Sequence, residues 1–371
     1  MSQRITDMLG IDLPLLAFSH CRDVVVAVTN AGGFGVLGAS SHSADELEQE
    51  LRWIDERVAG RPYGVDIVAA ENLESDVDFS GDLARYIPDA QFDFVNSVLA
   101  AHGIAPLLPT DLDQAMRVDE QHGRDLLEVA MAHPISLIAS ALGVPPSYMI
   151  EAGKARGVPV AALVGAKEHA MRQVAAGVDI IVAQGSEAGG HTGEVGTMVL
   201  VPEVVAAVSG ASDIPVLAAG GIVTGSQMAA AIALGAAGVW TGSVWLTTEE
   251  AETHPVTRDK LVAASSRDTV RSKSRTGKFS RQLVSDWTLA WGDPQSPAAL
   301  PMPLQSVLSE PAMARVEQQA ALGNAAARSL ASYFVGQGVG LMNRVRPARD
   351  VVLEMAEDFA SAMERVASFM D

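Results

Sequence analysis

The chain has 371 residues, of which 48% are hydrophobic and 19% charged, so it can bury a large core and is not globally disordered. Its 26 lysines and arginines are outnumbered by 45 aspartates and glutamates, which gives a formal net charge of -19. We expect no basic patch to offset this acidity, and therefore neither nucleic acid nor an anionic membrane as a partner. Any bound phosphate group would have to be held by backbone amides and helix dipoles.

The sequence also argues against disulfides, metal sites and targeting segments. The single cysteine, Cys21, excludes an intrachain disulfide and a thiolate metal cluster. The histidines lack the paired spacing of a metal site, so no metal is predicted. No apolar run is long enough to span a bilayer, and we expect a cytoplasmic protein.

Apolar runs alternate with helical patterns from the start of the chain. A capping box at Ser43 and Glu46 opens one of the helices, and Gly32 and Gly33 end another. The predicted strands are Leu13–Phe18, Phe34–Leu37, Tyr63–Val68, Ile135–Ser140, Val158–Leu163, Val178–Ala183, Pro215–Ala219 and Gly238–Thr241. Eight strands that alternate with helices predict an α/β fold, a (β/α)8 TIM barrel, with a doubly wound sheet as the structural rival.

Three further segments are predicted outside the regular barrel pattern. Within a barrel spanning residues 1–246, residues 71–133 form an enlarged, helical insert between the third and fourth strands. Residues 247–335 are predicted to form a small helical appendage, and residues 336–371 a closing amphipathic helix packed on the barrel. The long terminal helix also allows a homodimer.

The stretch VAQGSEAGGHTG, from Val182 to Gly193, carries the main functional signal. Gly189 and Gly190 follow a buried strand and let the backbone bring amide groups close to an anionic ligand. His191 comes directly after them and can accept or donate a proton near neutral pH. The structural alternative is a tight turn followed by a solvated histidine.

Two later strands also end in glycine-rich turns. Gly220 and Gly221 follow the seventh strand, and Gly242 and Ser243 follow the eighth. Loops in these positions of a TIM barrel commonly bind phosphate through backbone amides and a short helix N-terminus. Any one of these turns could be purely structural, but together they indicate a phosphorylated cofactor or substrate.

Three polar side chains are predicted at the same rim, each with a structural alternative. Lys167 opens the helix after the fifth strand, and it could instead be a solvated surface lysine. Gln184 follows the sixth strand and could offer its amide to a flavin or cap the loop. His20 follows the first strand, where a structural and a functional role are equally compatible with the sequence.

These motifs resemble those of the nitronate monooxygenase family, formerly called 2-nitropropane dioxygenases. That family also contains FMN-dependent enoyl-ACP reductases and NADH:quinone reductases. The residues that carry the resemblance are AKEHAMRQVAAGVDIIVAQGSEAGGHTG (Ala166 to Gly193), PVLAAGGIVTGSQMAAAIALGAAGVWTGSVWL (Pro215 to Leu246), NAGGFGVLGA (Asn30 to Ala39) and GQGVGLMNRVRPARDVVLEM (Gly336 to Met355). The similarity therefore extends over nearly the whole chain.

The resemblance implies a TIM barrel that binds FMN at the carboxyl ends of its strands. Gly189 and Gly190 would approach the flavin, and His191 takes the position of the family's active-site histidine. Lys167 and Gln184 would contact the isoalloxazine and its surroundings. The FMN phosphate would be held by Gly220, Gly221, Gly242 and Ser243.

The implied activity is that of an FMN-dependent oxidoreductase. The leading hypothesis is a nitronate monooxygenase, which oxidises alkyl nitronates with O2 to a carbonyl compound and nitrite. In it, His191 acts as a base toward a nitroalkane or as a hydrogen-bond donor to a nitronate. The alternatives are an NAD(P)H-dependent FMN reductase of a quinone or an enoyl thioester, and a non-catalytic flavin- or phosphate-binding barrel.

Two positions depart from the family pattern. The first strand usually ends in a glutamine-glycine-methionine type of turn, but here it runs through Phe18 to His20. The third strand usually offers an asparagine to the flavin, and here Asp66 takes that place. An acidic side chain there would disfavour an anionic reduced flavin unless it is protonated or turned away.

Overall fold

The computed structural model describes residues 5–68, 83–114 and 120–369. Eight parallel strands close into a barrel in the order β1-β2-β3-β4-β5-β6-β8-β9. Their bounds are β1 (Leu15–Ser19), β2 (Phe34–Gly38), β3 (Gly64–Asp66), β4 (Leu137–Ser140), β5 (Val160–Val164), β6 (Ile180–Gln184), β8 (Val216–Ala219) and β9 (Gly238–Thr241). The short strand β7 (Gly190–His191) lies outside the barrel. The predicted TIM barrel is confirmed, and the doubly wound sheet is excluded.

Helices connect the strands and extend beyond them. The α-helices are α1 (Ile5–Leu9), α2 (Arg22–Asn30), α3 (Ala44–Asp55), α4 (Asp89–Ala101), α5 (Glu120–Ala132), α6 (Ser147–Arg156), α7 (Lys167–Ala176), α8 (Thr197–Ser209), α9 (Gly225–Ala233), α10 (Pro255–Ala263), α11 (Asp286–Gly292), α12 (Leu304–Ala321), α13 (Ala325–Leu330) and α14 (Ala348–Ala367). Short 3-10 helices span Leu83–Tyr86, Pro109–Gln114, Ser243–Thr247 and Gln337–Leu341. The capping box predicted at Ser43 is present, since Ser43 and Glu46 bond to each other's backbone N–H.

The barrel interior is filled with apolar side chains at its amino-terminal end. Alternate residues of each strand point inward, so Leu16, Phe34 and Leu137 meet inside the barrel. Ile5 and Leu9 of α1 pack against this cluster, and the virtual Cβ of Gly238 lies 3.2 Å from Ile5. Helix α1 therefore covers one end of the barrel, which leaves the carboxyl ends of the strands for a site.

A second hydrophobic core lies outside the barrel. It joins α4 and the neighbouring 3-10 helices to α11, α12 and α13, with Trp287 and Leu308 fully buried at its centre. By contrast, α5 packs on α3 at the barrel. The described part of the predicted insert is thus divided between the two cores, while residues 71–82 and 115–119 of that prediction lie outside the described residues. The division of the chain into domains stays a prediction.

The segment predicted as a helical appendage also contains β-structure. Strands β10 (Thr269–Ser272) and β11 (Ser280–Leu283) pair antiparallel, and β11 pairs with β7 to form a three-stranded sheet. The turn between them passes through Gly277, whose φ of +84° suits glycine and whose added Cβ would lie 2.1 Å from the Leu300 carbonyl oxygen. The predicted helical appendage thus contains helices α10 to α13 together with this antiparallel pair, which the sequence pattern did not reveal.

Helix α14 packs on α9, the helix between β8 and β9. An added Cβ at Gly225 would lie 2.0 Å from the Met355 carbonyl oxygen, so the two backbones touch. Asp358 accepts hydrogen bonds from the backbone N–H and hydroxyl of Ser226, both at 2.6 Å. Within the described residues, no helix combines the length and apolar character needed to cross a membrane.

One ionic cluster ties α3 to the residue that follows α5. His133 contacts Asp55 through Nδ1 at 2.6 Å and Glu48 through Nε2 at 2.9 Å, while Tyr63 donates to Asp55 at 2.7 Å. Burial of the ring opposes protonation, but the hydrogen bonds to the two carboxylates outweigh it and raise the pKa of His133. The imidazolium, with both N–H groups paired, is therefore the favoured form.

We expect His133→Gln to destabilise the fold by roughly 1–2 kcal/mol at pH 6, because it leaves carboxylates without their charged donor. A folded-state pKa above the unfolded value stabilises the protein below about pH 6.5, and this contribution is lost as the pH rises through the folded pKa. Urea unfolding at pH 6 and pH 9 should show a difference between wild type and variant that shrinks at pH 9. The exposed His169→Gln is the control, and an equal difference at both pH values would contradict the ionic origin.

Candidate active site at the barrel mouth

The barrel mouth, defined as the carboxyl ends of the eight strands, is lined by inward-pointing residues of different strands. Phe18 of β1 and Trp240 of β9 stack with their ring centroids 6.3 Å apart. The ring of His20 contacts Phe18 edge to face, with its Nδ1 3.1 Å from the Gly38 carbonyl oxygen. Gln184 ends β6, and strand alternation points it inward with Ile180. The mouth thus combines an aromatic wall with polar groups.

The loop after β6 brings its glycines close to the chain itself. An added Cβ at Gly189 would lie 2.8 Å from the Val335 carbonyl carbon, so this glycine is required by a backbone contact. Gly190 has a φ of +76°, and an added Cβ there would meet no protein atom within 4 Å. Of the predicted pair, only Gly190 therefore faces open space beside His191.

The imidazole of His191 is held by a residue of the β10–β11 turn. Its Nε2 lies 2.8 Å from the Thr276 hydroxyl oxygen, and that hydroxyl donates to the Lys278 carbonyl oxygen at 3.2 Å. The threonine proton is thus used elsewhere, so its oxygen accepts from Nε2–H, and Nδ1 keeps its lone pair. Desolvation of the ring and, second, the nearby Lys278 cation lower the pKa of His191 to about 4. His191 is therefore neutral at physiological pH.

A basic segment, residues 271–281, surrounds this histidine. It contains five lysines and arginines and no acidic residue, so the expectation that no basic patch interrupts the acidic chain was wrong. Arg281 donates from Nε to the Ser186 carbonyl oxygen at 2.8 Å, and Arg271 donates to the Thr192 carbonyl oxygen at 3.3 Å. Arg275 is turned away and pairs with Glu310 at 2.9 Å. Of the remaining cations, Lys278 lies close enough to His191 to lower its pKa, and Arg281 interacts with the carboxylate of Glu187.

The glycine cradle, defined as Gly220, Gly221, Gly242 and Ser243, follows β8 and β9, the two strands that come next to β6 in the barrel. Gly220 and Gly221 have φ values of +109° and +72°, which favour glycine, and an added Cβ at Gly220 would lie 2.6 Å from the Thr197 hydroxyl oxygen. Gly242 is different, because an added Cβ there meets no protein atom within 4 Å. The Ser243 hydroxyl accepts from the Gly336 N–H at 2.8 Å, so its own proton remains available to an anion.

Sequence reasoning missed several residues that complete the site. The loop 336–338 closes on the cradle, and an added Cβ at Gly338 would lie 2.9 Å from the Gly221 carbonyl oxygen. The glycines of GQG were a usable signal, whereas nothing local in the sequence linked Thr276 to His191. Lys167, which was predicted at the rim, has its Nζ 3.5 Å from Glu203 of α8 and is 42% exposed. Its contact with a cofactor stays a prediction.

A buried carboxyl group lies in the mouth at the end of β3. Asp66 is 3% exposed, and its Oδ2 has no hydrogen-bond partner among the described residues. Its strand neighbours are Gly38 and Ala139. Burial raises the pKa of Asp66 to about 7.

A TIM barrel with a glycine cradle and a deprotonated histidine at its mouth is the architecture of an enzyme. Comparison with known proteins makes this specific, because the sequence model of nitronate monooxygenase matches residues 14–358. The chain belongs to the nitronate monooxygenase family, and it is an oxidoreductase.

Individual relatives agree with this assignment. A Mycobacterium tuberculosis protein, provisionally described as the monooxygenase Rv1533, is 54% identical over 97% of this chain and 96% of its own length. A Staphylococcus saprophyticus protein, provisionally named a nitronate monooxygenase, is 30% identical over 77% of this chain and 80% of its own.

Solved structures with the same fold cover the entire chain or nearly so. Nitroalkane oxidase from Streptomyces ansochromogenes superposes with a TM-score of 0.80 at 27% identity, covering 98% of this chain and 99% of that one. FabK from Thermotoga maritima superposes with a TM-score of 0.72 at 26% identity and covers both chains completely, at 100%.

We expect Thr276→Val to change the tautomer of His191, because it removes the acceptor for Nε2–H. Thr276→Ser keeps that acceptor and serves as the matched control. The readout is the pair of imidazole 15N chemical shifts of His191, assigned by their absence in a His191→Asn variant. The Nδ1–H fraction should rise in the valine variant and stay at the wild-type level in the serine variant. The same tautomer in all three proteins would contradict the assigned hydrogen bond.

Proposed function

We propose that this protein is an FMN-dependent nitronate monooxygenase, which oxidises alkyl nitronates with O2 to a carbonyl compound and nitrite. The observation that carries the proposal is a neutral His191 beside the basic segment, on the loop after β6 that also packs against the glycine cradle. The cradle suits a phosphorylated cofactor, and the cations suit a small anionic substrate. Family membership supports the same reading.

The residues of the mouth fit FMN. The Gly242 position and the Ser243 hydroxyl leave room and a free donor for the phosphate, while Gly190 faces open space beside His191. Gln184 and the unpartnered carboxyl of Asp66 offer polar groups to the ring system. When bound, the flavin supplies the electron transfer between substrate and oxygen, which the side chains described here cannot supply. The protein binds, orients and exchanges protons.

His191 and Lys278 divide the handling of the substrate. The free Nδ1 of His191 accepts the α-proton of a neutral nitroalkane, which leaves the nitronate anion and an imidazolium. The anion so formed is stabilised by that imidazolium and by the Lys278 ammonium. A nitronate supplied as the preformed anion needs the Lys278 cation for its stabilisation, but it does not need His191 as a base.

We expect Gly242→Ala to weaken FMN binding roughly tenfold or more without destabilising the apo-protein. The added methyl group meets no protein atom within 4 Å, so only a ligand in the cradle would oppose it. Fluorescence titration of apo-protein with FMN gives the affinity, and thermal unfolding gives the stability. Gly292→Ala is the matched control, because its added Cβ also meets nothing within 4 Å and it lies on α11. Equal affinities in both variants would remove Gly242 from the phosphate site.

Replacing the base and the cation should affect different substrates. We expect His191→Asn to lower turnover of a neutral nitroalkane by roughly a hundredfold or more, while FMN content and turnover of preformed nitronate change less. Lys278→Glu should have the opposite preference, raising KM for the nitronate anion and flattening its salt dependence. Nitrite release under initial-rate conditions measures both. Lys154→Glu on α6 is the control for the change in net charge. Equal losses of turnover on the two substrates in both variants would contradict the division of roles.

The function itself is tested with the FMN-loaded protein under anaerobic conditions. The flavin absorbance should be unchanged by NADH or NADPH and should bleach when a nitronate is added. Rapid bleaching by a nicotinamide nucleotide would overturn the proposal in favour of a reductase of quinones or enoyl thioesters. Bound FMN that reacts with no donor or acceptor would indicate a non-catalytic barrel, and a protein that cannot be loaded with FMN would refute the flavin assignment.

A further inference from the structure

The third strand places a buried carboxyl group, that of Asp66, at the barrel mouth. Gly64 points inward, since its added Cβ would lie 2.9 Å from Cβ of Leu137 and from Phe34, both in the interior core. Asp66 is two residues further along the same strand and therefore points inward as well. It pairs with Gly38 on one side and Ala139 on the other. Neither neighbour has a polar side chain to bond the carboxyl group.

The groups around Asp66 do not neutralise it. The space in front of Gly38 is taken by the rings of Phe18 and His20, since an added Cβ at Gly38 would lie 2.9 Å and 2.6 Å from them. The titratable side chains just after β1 and β2 in the described residues include His20, Cys21 and His42. The two imidazole Nδ1 atoms face the Gly38 and Ala39 carbonyl oxygens, and the Cys21 thiol donates to the Glu250 carbonyl oxygen. The strand β4 ends in Ala139 and Ser140 and adds no charge. Burial without a partner favours the neutral acid.

A neutral carboxylic acid has a proton to donate, whereas a carboxylate can only accept. Strand alternation directs the unpartnered Oδ2 atom into the mouth that the proposed function assigns to FMN, which is also lined by Phe18 of β1 and Trp240 of β9. A buried, inward-facing polar atom without a protein partner requires an explanation, and a ligand in the mouth that accepts its proton supplies one. Flavin rings carry carbonyl and imine acceptors along one edge, which match such a donor.

We propose that Asp66 binds the flavin ring as a neutral acid, donating its carboxyl proton to an acceptor of the ring, so that loss of this proton weakens flavin binding and lowers the reduction potential. The proposal rests on the proposed FMN site. An ionised Asp66 offers no proton and places a buried negative charge beside a ring that gains electrons on reduction. The lost donor and the added negative charge both disfavour the bound and the reduced flavin. FMN affinity and reduction potential should therefore fall together as the pH rises.

The unliganded chain should report the buried acid without any flavin. A folded-state pKa of about 7, above the unfolded value of about 3.8, means that the folded protein holds a proton which the unfolded chain has already released. Stability conferred by protonated Asp66 is therefore lost as the pH rises from about 4 through 7. Asp66→Asn keeps the shape and a donor but cannot ionise, so its apo-protein should have a higher Tm than wild type at pH 8 and a smaller gain at pH 5.

The decisive experiment compares wild type with Asp66→Asn between pH 6 and pH 9, using apo-protein titrated with FMN and dye-equilibrated reduction potentials. We expect the wild-type FMN Kd to rise roughly tenfold or more over this range and the asparagine variant to show little change. His42→Gln is the control and should keep the wild-type pH dependence, whereas His20→Gln tests whether the neighbouring imidazole causes that dependence. Asp66→Ser is the substitute if the amide variant does not fold.

Each outcome is distinct. A pH-independent wild-type affinity, or a pH dependence that survives in Asp66→Asn but disappears in His20→Gln, would overturn the proposal. If neither wild type nor variant binds FMN, the flavin assignment fails and the hydrogen bond with it, whereas apo-protein unfolding still reports the buried acid. Bound FMN with an unchanged pH profile would refute the role of Asp66 and leave the FMN site intact.

Discussion

Closure of the parallel barrel is the constraint on which the whole site depends. The last strand returns to the first, with Leu15 opposite Val239 and Ala17 opposite Thr241. Thr241 seals this seam, since its buried hydroxyl donates to the Leu16 carbonyl oxygen at 2.8 Å and accepts from Trp245 Nε1 at 3.0 Å. A closed parallel sheet brings all eight carboxyl ends to one ring. Residues far apart in the sequence therefore meet at the mouth, although no local sequence pattern indicates that they lie close together.

The barrel was predictable because its strands are buried on both faces. Such strands read as continuous apolar runs, and the run predicted at Val178–Ala183 contains most of β6 (Ile180–Gln184). The turns after β6 and β8 were visible because left-handed or crowded backbone demands glycine, as at Gly220 with its φ of +109°. Burial and backbone conformation are encoded in the local sequence pattern, and the sequence therefore predicts them well.

The environment of His191 could not be predicted, because it depends on contacts between residues far apart in the sequence and not on a local pattern. Its partner Thr276 lies 85 residues away on a turn between two four-residue strands, and all four residues of β10 are only partly buried. Short strands of mixed polar composition carry no periodicity that separates them from a polar helix. The pairing of β11 with β7 joins segments that are far apart in the sequence. Lys167 shows the same limit, because its contact with Glu203 depends on how α7 packs against α8.

Net charge is a poor guide to the chemistry of this mouth. The formal charge of -19 belongs to the whole chain, but at physiological salt exposed charges are screened beyond about 8 Å. Groups close to His191 therefore decide its ionisation, and Lys278 acts in the same direction as burial to keep it neutral. Burial alone raises the pKa of Asp66 to about 7. A basic segment and a carboxyl group that holds its proton up to near neutral pH thus occur together in an acidic protein, because each group responds to its immediate surroundings rather than to the overall charge of the chain.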